Sequence, residues 1–170
     1  MKKIIALTLC ASMAFSFAAC GNDNNTSNQT QSSSSDSLQI PNPWQECKTL
    51  EEATKLAGFP LSVPESIDGY QSRVIEVNPD PENPMIQVLY QKSGSEILIR
   101  KAAGSNDISG DYNQYSETEV TSVDGVSVTV KGNEGKRNLA TWTRGDYAFS
   151  VSVSDGISSN AMAQLVAAVQ

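Results

Sequence analysis

The chain has 170 residues, enough for one domain with its own core, and carries 19 acidic against 12 basic side chains, a net charge of −7. That acidity excludes a general affinity for nucleic-acid phosphates or anionic lipid head groups. The two basic pairs, Arg100-Lys101 and Lys136-Arg137, read as ordinary solvated strand and turn charges and form no patch. Histidine is absent, which removes Ser-His-Asp and Cys-His catalysis and the commonest zinc and haem ligand.

Residues 1–19 read as a signal peptide. Lys2 and Lys3 form a positive start, Ile4 to Phe17 an apolar stretch, and Ala18-Ala19 the small residues that a signal peptidase requires. With Cys20-Gly21 following, the segment resembles a bacterial lipoprotein signal, which implies cleavage before Cys20 and lipid attachment to its thiol. Two other readings are a secretory signal cleaved without lipidation and an uncleaved membrane helix. Thr8, Ser12 and Ser16 interrupt the run and leave it short of the roughly 20 apolar residues a span needs. Cleavage would take Lys2 and Lys3 and leave ten basic against nineteen acidic groups, a net charge of −9.

Of three cysteines, Cys10 leaves with the signal and Cys20 is blocked, so Cys47 has no internal disulfide partner and reads as a small packed hydrophobe. Residues 21–37 contain no apolar side chain and cannot offset the entropy of ordering them. With Cys20, the stretch 20–38 reads as a flexible tether whose ends lie on the order of 20–25 Å apart. A single domain is expected over 39–170.

Thr49-Leu50-Glu51-Glu52 forms a capping box that opens a helix over 50–57, stopped by Gly58 and Pro60. Short β-rich runs then predict seven strands, near 70–78, 85–91, 96–102, 117–123, 126–131, 138–144 and 147–153. Tight joins at Ser93-Gly94-Ser95, Asp124-Gly125 and Gly145-Asp146 make neighbours antiparallel and predict a meander. Val126, Val128 and Val130, and likewise Tyr147, Phe149, Val151 and Val153, alternate with small or polar residues, which gives the sheet one buried and one wet face. A second helix starts at the cap Ser158, with Ile157 stapled to Met162 and an apolar stripe of Met162, Leu165, Val166 and Val169. The expected fold is therefore α+β: a twisted antiparallel sheet covered on one face by the N-terminal and C-terminal helices.

The segments Arg100-Lys101-Ala102-Ala103-Gly104, Asp107 to Asn113, Asn42-Pro43-Trp44, Glu51-Glu52-Ala53 with Gly58-Phe59, Lys131-Gly132-Asn133 and Ala140-Thr141-Trp142 carry a resemblance over most of 42–168. The chain resembles the uncharacterised bacterial envelope family known as domain of unknown function 4367. The resemblance implies a secreted or lipid-anchored α+β domain with no established activity, and supplies no catalytic residues.

Polar groups concentrate between the third and fourth strands, where Asp107, Ser109, Asp111 and Asn113 alternate and Tyr112 and Tyr115 sit among or beside them. Oxygen ligands at this spacing match the opening of an EF-hand loop and make calcium an alternative. The match fails at Tyr112, where glycine belongs, and at Thr118, where a bidentate glutamate belongs. The competing reading is that these side chains bond their own backbone in successive Asx turns. The two tyrosines with Trp142 would make an aromatic platform, although Trp142 shares a strand face with Ala140 and reads as core; Trp44 reads as a lid on a domain edge. Glu117 and Glu119 share a strand face, and such a carboxylate pair can perform acid–base chemistry without histidine, but they read as solvated charges.

These features predict no catalysis, cofactor or resident metal. They predict a lipid-anchored extracytoplasmic binding or sensing module at the cell membrane, contacting an envelope protein or glycan through the 103–116 loop. The alternative is a carrier holding a lipid or other apolar molecule between sheet and helices, which requires a cavity of hundreds of cubic ångströms.

Overall fold

The computed structural model describes residues 42–170. The signal, Cys20 and tether readings lie outside the described residues. Ten elements follow in order: β1 (Gln45–Cys47), α1 (Leu50–Ala57), β2 (Ser72–Asn78), β3 (Met85–Lys92), β4 (Ser95–Ala103), β5 (Glu117–Val123), β6 (Val126–Gly132), β7 (Arg137–Arg144), β8 (Tyr147–Ile157) and α2 (Ser159–Ala168). The sheet thus has eight antiparallel strands rather than seven. The extra one, β1, is too short to show an alternation.

The strand order is β1-β2-β3-β4-β8-β7-β6-β5, which corrects the expected single meander. Two meanders meet where β4 pairs with β8, Ile97 opposite Val153 and Ile99 opposite Val151. Tight turns make sequential strands neighbours, but β4 and β5 are joined by residues 104–116, long enough to carry the chain from mid-sheet to the far edge. Asp124 and Gly125, both at positive φ, form the β5–β6 turn that the Asp-Gly pair predicts.

Both helix caps form as the sequence predicts. Thr49 Oγ1 accepts from Glu52 N–H at 3.2 Å, while Glu52 Oε2 reaches back to Lys48 N–H at 2.9 Å. Ser158 Oγ accepts from Ala161 N–H, and Ile157 packs against the core that holds Met162.

Pairing aligns Ile75, Val88, Ile99, Val151, Ala140 and Val130 across six strands on one pleat face. This row is buried with Ala53 and Ala57 of α1 and with Met162 and Val166 of α2. Between the helices runs an extended segment not anticipated as an element, whose Phe59, Leu61 and Val63 point alternately into the core. Reciprocal backbone bonds between Ser62 and Gln170 clamp it to the segment that follows α2, and Tyr90 OH donates to Pro64 O. The buried Cys47, its thiol pushed up by burial and by Glu52, is a packed hydrophobe as expected. Trp142 is core as well, stacked on Phe149 at 5.3 Å.

Lys101 is buried on this face, which corrects its reading as a solvated charge. Its ammonium donates to Pro60 O at 2.6 Å and lies 4.6 Å from the Tyr147 ring and 5.1 Å from that of Phe149. Burial, then the charge of Arg144, pulls its pKa down. One carbonyl and the aromatic faces replace part of the lost water, so the lysine holds the 59–64 segment onto the sheet.

Candidate polar groove on the open sheet face

The opposite pleat face presents Gln87 of β3, Leu98 and Arg100 of β4, and Ser150 and Ser152 of β8. Arg100 organises it. Nε donates to Gln87 Oε1 at 2.9 Å, and Gln87 Nε2 donates to Glu76 Oε2 at 2.5 Å. Nη1 donates to Ser109 O at 2.6 Å and Ile108 O at 3.2 Å, so this one cation fastens the 104–116 connection down onto the sheet. Its pKa is lowered by burial, partly offset by Glu76, which corrects the reading of Arg100 as a solvated strand charge. Gly110 is required for this approach: it has φ +63°, and a Cβ there would stand 2.8 Å from Arg100 Nη1.

The connection is shaped by its own polar side chains. Asp107 Oδ1 accepts from Ser109 N–H at 2.9 Å, Ser109 Oγ from Asp111 N–H at 3.2 Å, and Asp111 Oδ1 from Asn113 N–H at 2.8 Å. Oxygens at i, i+2 and i+4 therefore turn to the backbone in successive Asx and ST turns, the arrangement that competes with calcium ligation. Among the described residues no three His, Cys, Asp or Glu side chains gather as a metal site. Burial by itself raises Asp107, but hydrogen bonds from the Ser109 hydroxyl and N–H, with the charge of Lys131, outweigh it and hold the carboxyl below its ordinary value. Tyr115 OH donates to Asp111 Oδ2 at 2.5 Å; burial first, then this bond and the carboxylate's charge, push the phenol up to about 12. Asn133 Oδ1 closes the segment by accepting from Ser116 N–H and Oγ.

Beside this rib lies an open groove of about 550 Å³. One wall is residues 109–115. The floor and far wall are Leu98, Arg100, Ser152 and Ser154 with Glu96, Asn133 and Asn138. Asn138 is placed by the irregularity between β7 and β8, where the register slips from Arg137↔Ile157 to Leu139↔Ser152; its Nδ2 donates to the carbonyls of Val153 and Ser154. Tyr112 stands on the rim, 96% exposed, while Tyr115 is held inward. The lining is dominated by amides and hydroxyls; of its two carboxylates, Asp111 already accepts from Asn113 and Tyr115, and Glu96 stands exposed on the far wall.

The six loop residues singled out by sequence thus lie on one rib: Ser109, Asp111, Tyr112, Asn113 and Tyr115 line the groove, whereas Asp107 faces the space on the rib's other side. Trp142 takes no part in a platform with the tyrosines. Trp44 does more than lid an edge: its ring lies 5.8 Å from the Arg100 guanidinium carbon, on the other side of the rib. Glu117 and Glu119 are not a free carboxylate pair. Both bind Arg137, at 2.5 and 3.1 Å, and Glu117 is lowered by Gly135 N–H and then by Arg137, opposite to what a general acid needs. Sequence reading gave Arg100, Asn133 and Asn138 no role in a site, because they come from distant segments that only the fold brings together.

The cleft between α2 and the sheet holds about 70 Å³, far below what an acyl chain requires. No helix among the described residues is long and apolar enough to cross a membrane. Comparison with known proteins gives no match: no family model, no curated protein and no solved structure is significantly similar to the chain.

Proposed function

We propose that this chain is a lipid-anchored, extracytoplasmic and non-catalytic binding module of a bacterial cell envelope, and that its groove takes an uncharged, hydroxyl-rich glycan. The helices and the 59–64 segment serve as the cover of one sheet face, which leaves the other for ligand. The resemblance to domain of unknown function 4367 and the lipid-bearing role of Cys20 belong to this reading. The observation that carries it is the lining: mostly amide and hydroxyl groups, with Arg100 and Asp111 already engaged within the protein, fixed by a hydrogen-bonded rib on a rigid sheet below an exposed tyrosine. Such groups exchange hydrogen bonds with sugar hydroxyls one for one, and a tyrosine ring offers an apolar face at small entropic cost.

The test is titration of the full chain with uncharged oligosaccharides released from the envelope of its own cell. Tyr112→Ala is expected to weaken binding roughly 5–10-fold, the effect of losing one aromatic contact, with an unchanged melting temperature. Unchanged affinity, or capture of one protein through residues 109–115 in place of sugar, would overturn the glycan assignment. The anchor has its own check: fatty-acid label is expected on the chain and lost in Cys20→Ala.

A further inference from the structure

Among the described residues the sheet has one long edge. β5 closes it over the seven residues Glu117–Val123, whereas β1 at the other end has three. Protein sheets protect such edges with proline, charged side chains (lysine above all), inward-pointing charges, bulges or very short strands, because the outer N–H and C=O groups otherwise template another strand. β5 carries neither proline nor lysine and pairs with β6 in unbroken register from Glu117↔Gly132 to Val123↔Val126. Its acids, Glu117 and Glu119, are engaged by Arg137 of its own chain. Its other face shows only Thr118, Val120 and Ser122, with Val120 68% exposed.

We propose that this edge docks a second copy of the chain, β5 against β5 in antiparallel register about a two-fold axis at Val120. The sequence is complementary to itself in that register alone over its full length. Val120 meets Val120 of the second copy, Thr118 meets Ser122, Glu119 meets Thr121 and Glu117 meets Val123, so no acid opposes an acid. Sliding by two residues one way sets Glu119 against Glu119, which repels, and sliding the other way leaves only 119–123 paired. Odd shifts place the two core faces on opposite sides.

Cysteine crosslinking of the full chain in its own membranes tests the register. Val120→Cys puts two thiols on directly opposed positions, within the Cα separation a disulfide spans. Ser122→Cys, also exposed, puts them about 13 Å apart along the strands. Expected is a covalent dimer from Val120→Cys well above that of the unsubstituted chain and no such increase from Ser122→Cys. No increase from Val120→Cys, equal dimer from both variants, or an adduct of Val120→Cys with a different protein would overturn the proposal.

Discussion

Arg100 and Lys101 are adjacent in sequence and face opposite sides of one strand, so each cation fastens a different non-repetitive segment to the sheet. Arg100→Met should leave the carbonyls of Ile108 and Ser109 and the Gln87 amide without their donor and partner, lowering stability by about 2 kcal/mol. Arg100→Lys should not restore it, because an ammonium cannot bond the amide and both carbonyls in the guanidinium's planar fork. Denaturant unfolding checks the first effect, and faster amide exchange confined to 105–115 checks its location. Asp107 gives the rib a pH dependence of defined sign. Its folded-state pKa lies below the ordinary 3.8, so its contribution is present above that value and lost as pH falls through the lower folded value. An NMR titration should place the carboxyl midpoint below 3.8, and Asp107→Asn should remove this acid sensitivity; a midpoint at or above 3.8 would contradict the account. Composition identified neither cation's role, since burial of a basic side chain depends on which distant carbonyls reach it. The Asx-forming residues were legible because their partners lie two positions away.

At the scale of elements, caps and alternation decided what could be read. Thr49 with Glu52, and Ser158, announced both helices, and valines at every second position announced β6. The Phe59-Pro60-Leu61-Ser62-Val63 segment alternates just as clearly, yet its backbone pairs only at Ser62 with Gln170, so period alone cannot distinguish it from a strand. The β6–β7 connection shows what one missing side chain does. Gly132 ends β6 with its Cα against the Lys136 carbonyl, and a Cβ would overlap that backbone oxygen. Gly132→Ala should therefore cost about 2–3 kcal/mol, within the usual range for forced overpacking, measurable as a lowered midpoint in denaturant. Gly125→Ala, at a turn glycine with open space around it, should act only through its positive φ and cost less.

At the scale of the whole molecule, the fold class followed from sequence, and the order of strands did not. Turn residues specify which consecutive strands pair, but nothing local in Gly104 to Ser116 states that β4's free edge is reserved for β8. The groove exists because of that long-range choice: the connection displaced from the turn must cross the polar face, and Arg100 holds it there as one wall. The most direct measurement is backbone NMR of the full chain during titration with the uncharged envelope oligosaccharide. The account predicts shift changes confined to 96–100, 109–115, Asn133, Asn138 and 152–154, with the helix-covered face silent. Changes centred on α1, α2 or the 59–64 segment, or saturation by ligand with the groove unperturbed, would contradict it.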